Sequence, residues 1–117
     1  MEKFKSTQTM KTILLVAGLL LAAGGALKAA DAKENWDKQC AKCHGVDGKG
    51  QTKMGKQAGA KDYTDPKVQA DLKDEVATKT IKEGLVQDGK KKMDSYAEKL
   101  NDDEIKALVA YIRAFKK

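Results

Sequence analysis

The chain has little of what a small domain normally builds a core or a metal cage from. Aromatic residues make up 5% of its 117 positions, and it contains one proline, one histidine and two cysteines. A core made only of such side chains is meagre, and domains of this size usually need a disulfide, a metal or a cofactor as a staple. The cysteines and the histidine together number three, one short of the four ligands of a structural zinc site. A disulfide between Cys40 and Cys43 closes so small a loop that it stabilises little. A CxxC redox site is expected to open a helix after a strand, and no strand-like segment precedes this one. Charge of one sign is scarce as well. The formal net charge of +6 falls to about +3 over residues 31–117, where 19 Lys and Arg face 16 Asp and Glu. Basic and acidic residues are interleaved throughout, which argues against a nucleic-acid surface.

What is present begins with an export signal. Lys3, Lys5 and Lys11 precede the apolar run ILLVAGLLLAA at 13–23, which is followed by Gly24-Gly25 and small residues. A basic start, a short apolar stretch and small residues beyond it read as a secretory signal peptide. The run is too short to span a bilayer, which takes about 20 residues. Residues 1–29 are therefore expected to be a leader, cleaved somewhere between 26 and 32, with one domain at 30–117 in the periplasm.

That domain reads as all-α, with three helices separated by Gly-rich or polar loops. The first is expected over about 31–42, with Trp36 and Cys40 on one face. Three glycines at 45–50 make a turn-rich loop, and 51–66 continues irregularly to Asp65-Pro66. The second helix is expected over about 71–83, stopped by Gly84, and a loop of Gly and Lys follows through Asp94. The third is the best defined. Asn101 and Glu104 suit a capping box, and Ile105, Leu108, Val109, Ile112 and Phe115 line one face.

Cys40-Ala41-Lys42-Cys43-His44 carries the chemistry. C-x-x-C-H is a haem attachment signature: two thiols meet the two vinyl groups, and the adjacent His44 lies beneath the iron. With no second histidine, a bis-His iron is excluded, and the soft ligand left for the far side is a thioether. Met54 and Met93 are the candidates at 30–117. Met93 lies about fifty residues beyond His44, where the chain can return on the opposite face. Met54 lies ten residues on, between Lys53 and Gly55, and reads as loop packing or surface. An open sixth position would instead suit gas binding or peroxidase chemistry.

From Trp36 to the C-terminus the chain resembles class I cytochrome c, in its short bacterial periplasmic form. The resemblance rests on CAKCHG followed by DGKG, on KMDSY, and on the helix DDEIKALVAYIRAF. It implies that the first and last helices cross beside one covalently bound haem c. It also implies that Trp36 packs on Tyr111, with Ala32 one turn earlier and Leu108 opposite. Keeping Ala32 favours cleavage at Ala29 or Ala30. Two positions depart from the family pattern. Asp94 follows Met93 where Met-Pro is usual, and the only proline, Pro66, lies late to hold the proximal histidine, so a carbonyl from 51–57 is expected to serve.

The function expected is a soluble, monomeric one-electron carrier between periplasmic or membrane redox partners, with no catalytic residues. Cys40, Cys43, His44 and Met93 hold the haem, His44 and Met93 as iron ligands. Lys90, Lys91 and Lys92, with Lys42, Lys49 and Lys53, are placed to steer an acidic protein partner. The membrane is met only through partners. The rivals are a catalytic or ligand-binding haem protein and a subunit of a larger oxidase or dehydrogenase.

Overall fold

The computed structural model describes residues 31–117; the expected leader, residues 1–29, lies outside the described residues. Helix α1 runs over 31–44. Its middle, Trp36–Cys40, widens into a π-helical turn, and its end, Ala41–His44, returns to α-helix. The wide turn still leaves Trp36 and Cys40 on one side, and single π-turns of this kind gather at functional sites.

The chain then departs from the expected organisation. Residues 51–66 were read as irregular, yet Lys53–Ala58 form a short helix, α2, whose N-cap Thr52 accepts a hydrogen bond from Gly55 N–H. Gly55 is obligatory here, because a Cβ would run into the carbonyl oxygens of Cys43 and Gly50. The expected helix over 71–83 starts slightly later, as α4 (Asp74–Glu83), and a separate short helix, α3 (Pro66–Asp71), precedes it. Pro66 sits at the start of α3 behind the Asp65 cap, a position where its missing N–H costs nothing. Leu72 and Lys73 between the helices are extended. Arg113 replaces the missing helical donors there, bonding the carbonyls of Gln69 and Leu72.

The all-α expectation is corrected by a hairpin. β1 (Leu85–Gln87) pairs antiparallel with β2 (Lys90–Met93), with an irregularity at Leu85/Val86. Asp88 and Gly89 both take positive φ, 53° and 75°, as a two-residue type I′ turn requires. The fold is thus mostly helical with one small strand pair.

Helix α5 (Asp102–Ala114) has the full reciprocal capping box between Asn101 and Glu104 and buries Ile105, Leu108, Val109 and Ile112. It packs on α1 through Trp36, 1% exposed, whose ring lies 5.6 Å from Tyr111 and 5.0 Å from Phe115. Asn35 Nδ2 also donates to Glu104 at 3.2 Å. Ala32 and Leu108 are buried at this junction, and Ala77 and Ile81 bring α4 onto the same core. Val76 of α4 is exposed.

Candidate functional site

The end of α1 delivers three chemically active side chains within five residues. Cys40 and Cys43 are half-buried and not bonded to each other, and His44 is the last residue of the helix. Gly45, with φ of 81°, turns the chain away, and its carbonyl accepts from Trp36 Nε1 at 2.9 Å. The loop then doubles back beneath the helix end. Gly50 N–H donates to the His44 carbonyl at 2.8 Å, and Thr52 Oγ1 to the Cys43 carbonyl at 2.7 Å.

The imidazole of His44 lies between two rings, Trp36 at 5.6 Å and tilted, Tyr63 at 5.5 Å and stacked with an interplanar angle of 24°. Its Nδ1 is enclosed and has no hydrogen-bond partner among the described residues, which leaves Nε2 as the nitrogen available to a ligand. The carbonyl expected from 51–57 does not reach it. Burial holds the imidazole pKa below its ordinary value, so His44 is neutral near pH 7 and has a lone pair to give. Burial, with Cys43 adding to it, pushes the Cys40 thiol up to about 12, so it rests as S–H. Tyr63 is likewise raised by burial, with a smaller contribution from Cys40.

The hairpin supplies another part of the site's lining. Met93 closes β2 facing Leu85, half-buried and packed on the hydrophobic core. Gly84, with φ of 78°, lets the strand pass so closely that a Cβ would lie 2.6 Å from the Met93 carbonyl oxygen. Beyond Met93, Tyr96 N–H bonds the Ile81 carbonyl at 3.0 Å, and its hydroxyl bonds the Gln39 carbonyl at 2.9 Å. That last bond fastens the methionine segment to α1 one residue before Cys40.

The site holds a cavity of about 610 Å³, within the range of about 300–1,000 Å³ typical of cofactor sites. Cys40, Cys43, His44 and Met93 all line it, with Leu72 and Val76 along its side. A smaller recess shares Cys40, His44 and Met93 and reaches inward to Trp36 and Leu108. Met54 lines only the larger space and is 43% exposed; it sits on α2, which packs on the Cys43 carbonyl. Two thiols, an imidazole, a thioether and apolar side chains lining one cavity fit a covalently tethered haem. Among the described residues, no cluster of three His, Cys, Asp or Glu side chains offers a metal any other cage.

Of the lysines, Lys91 and Lys92 line the cavity mouth, and Lys91 pairs with Asp94 at 2.8 Å. Lys90 and Lys42 are exposed. The spacing argument missed Tyr63, Gln69 and Tyr96. Gln69 is 4% exposed and donates from Nε2 to the carbonyls of Tyr63 and Ile112, at 2.7 and 2.8 Å. A lone Gln in a short charged helix carries no signal of burial. Tyr96, in the quoted KMDSY segment, was the one legible hint.

Comparison with known proteins gives a consistent set of likenesses. Residues 27–112 match the family described as "Cytochrome C oxidase, cbb3-type, subunit III". The fold is similar to the KustC0563 c-type cytochrome, with a TM-score of 0.67 and 37% identity, over 74% of this chain and 98% of that one. It is similar also to a tyrosine-to-phenylalanine mutant of Kustc0563, with a TM-score of 0.65 and 37% identity, over 74% and 99% of the two chains. No curated protein sequence matches.

Proposed function

Because the chain belongs to the cytochrome c family of cbb3-type oxidase subunit III, and so to the electron-transferring c-type cytochromes, we propose that it is a soluble, monomeric, exported one-electron carrier with one haem c. The observation that carries this reading is a cavity that Cys40, Cys43, His44 and Met93 all line. Haem bound there supplies a one-electron couple at iron.

The residues of the chain have separate tasks. Cys40 and Cys43 would hold the haem through two thioether bonds, each made by adding the thiol S–H across a vinyl group, an addition that needs no oxidant. His44 through Nε2 and Met93 through Sδ would be the residues that hold the iron, a pairing that would raise the potential and suit electron transfer. Leu72 and the apolar inner recess toward Trp36 and Leu108 would keep water from the centre. With His44 and Met93 both given to the iron, this reading would leave no iron position for a substrate. Lys91 and Lys92, which line the cavity, with the exposed Lys90 and Lys42, would steer an acidic redox partner. Residues 1–29 act as the leader that takes the chain to the periplasm.

The purified holoprotein tests the ligand assignment. Met93→Ala should abolish the far-red charge-transfer band of a Met-ligated ferric haem and open the iron to carbon monoxide; Met54→Ala should do neither. If Met54→Ala alone abolished the low-spin spectrum, Met93 would not be the ligand. The matched family is named for an oxidase subunit, which favours a second reading, a carrier domain fixed in a larger complex. Fractionation separates the two: a free periplasmic pool supports the soluble carrier.

A further inference from the structure

We propose that His44 is oriented by the stacked ring of Tyr63 and not by a hydrogen bond to its Nδ1, which makes Tyr63 a positioning residue for the iron-facing imidazole. The inference rests on the reading of His44 as a haem ligand. An imidazole bound through Nε2 can still turn about that bond, so its plane must be set by something else. A carbonyl or carboxylate on the other nitrogen is the usual device. Here Nδ1 has no such partner among the described residues.

What His44 does have is an aromatic face on each side. Trp36 meets it at 42° and Tyr63 at 24°. A nearly parallel neighbour resists rotation of the imidazole plane more than a tilted one, because turning the ring drives its edge into the face beside it. Tyr63 is itself fixed from both ends of its peptide unit. Its N–H bonds the Gly48 carbonyl at 2.9 Å, and its carbonyl accepts from the buried Gln69 at 2.7 Å. Gln69 is anchored in turn to Ile112 and Arg113 of α5. Its hydroxyl makes no hydrogen bond among the described residues, so the ring alone carries the role.

Paramagnetic NMR of the oxidised holoprotein tests this, because the spread of the haem methyl shifts reports the plane of the axial imidazole. Tyr63→Leu should change the order or spread of those shifts, and Tyr63→Phe should keep the wild-type pattern. An unchanged pattern in Tyr63→Leu, or an equal change in Tyr63→Phe, overturns the proposal. Should the leucine variant fail to mature, the wild type still decides. His44 is the only histidine, so ¹⁵N-histidine labelling gives one ring to follow. A scalar coupling from Nδ1–H of the reduced protein to a backbone carbonyl overturns the proposal; a rapidly exchanging proton with no such coupling supports it. Ring signals with no hyperfine shift in the oxidised protein would instead refute His44 as a ligand, a separate failure that removes the premise.

Discussion

Gln69→Leu isolates a polar contact that reaches from α5 to the histidine wall. Gln69 is 4% exposed and makes two hydrogen bonds through Nε2 and one through Oε1, the last from Arg113 at 3.1 Å. Leucine fills a similar volume but donates nothing. The Tyr63 carbonyl then loses its donor, and an unsatisfied buried acceptor costs about 1–3 kcal/mol. The Ile112 carbonyl loses less, since Phe115 N–H still reaches it at 3.2 Å. Arg113 keeps its bonds to the Gln69 and Leu72 carbonyls and to Asp74. Leucine's apolar atoms recover part of the loss, leaving a net destabilisation of about 2 kcal/mol. For a domain of this size that lowers Tm by about 8–16 °C. Thermal and urea unfolding of the holoprotein, followed by far-UV circular dichroism, give the number, with the urea m-value expected to stay constant. A fall of less than about 2 °C would show that these carbonyls are not desolvated, and the reasoning would fail.

Two further expectations concern the Met93 wall and the surface. Gly84→Ala places a Cβ 2.6 Å from the Met93 carbonyl, at a φ of 78° and ψ of −174° where a side chain costs about 1–3 kcal/mol; the Met-ligation band should weaken while the covalent haem is retained. Gly59→Ala is the control, with a positive φ but open space around it, and should leave the band intact. Replacing Lys90 and Lys92 together by Glu should slow oxidation by an anionic small-molecule reagent at low salt, with the difference vanishing at high salt. Equal rates at low salt would show that these lysines do not steer.

Legibility in the sequence followed the size of the local signal. Helix α5 was readable because its cap, its dipole charges and its apolar stripe all agree. The Trp36–Tyr111 contact followed from the family resemblance, and C-x-x-C-H stands as five consecutive residues. The hairpin escaped because its strands are three and four residues long and present Lys90, Lys91 and Lys92 where alternation should appear. Asp88-Gly89 is a hairpin signal, yet the apolar flanks that would confirm it are missing on one side. The break at Leu72 depends on Arg113, some forty residues away, and no local pattern encodes such a partner. The same holds for Tyr63 and Gln69. The missing proline told us that the histidine had lost a usual support, but only the packing shows two rings beside it.

The two walls of the cavity differ in how firmly they are held, and that difference fixes which opens first. The His44 wall is part of the main core: Trp36 is fully buried and hydrogen-bonded, and α5 backs it. The Met93 wall is a nine-residue hairpin, exposed at every position of β1, with Val86 67% exposed. A hairpin of that length has little stability of its own and is tied down just beyond its end by the Ser95 and Tyr96 bonds to α4 and the Tyr96 bond to α1. Segments with few buried contacts open at a free energy below that of the whole domain. In urea, loss of the Met-ligation band is therefore expected before Trp36 fluorescence recovers from haem quenching. Tyr96→Phe removes the bond to the Gln39 carbonyl and should lower the free energy of that first step by about 1 kcal/mol, with the second step moving much less. If the two signals coincide in the wild type, and Tyr96→Phe shifts both equally, the methionine wall is as firm as the histidine wall and the hairpin is not the weak side of the site.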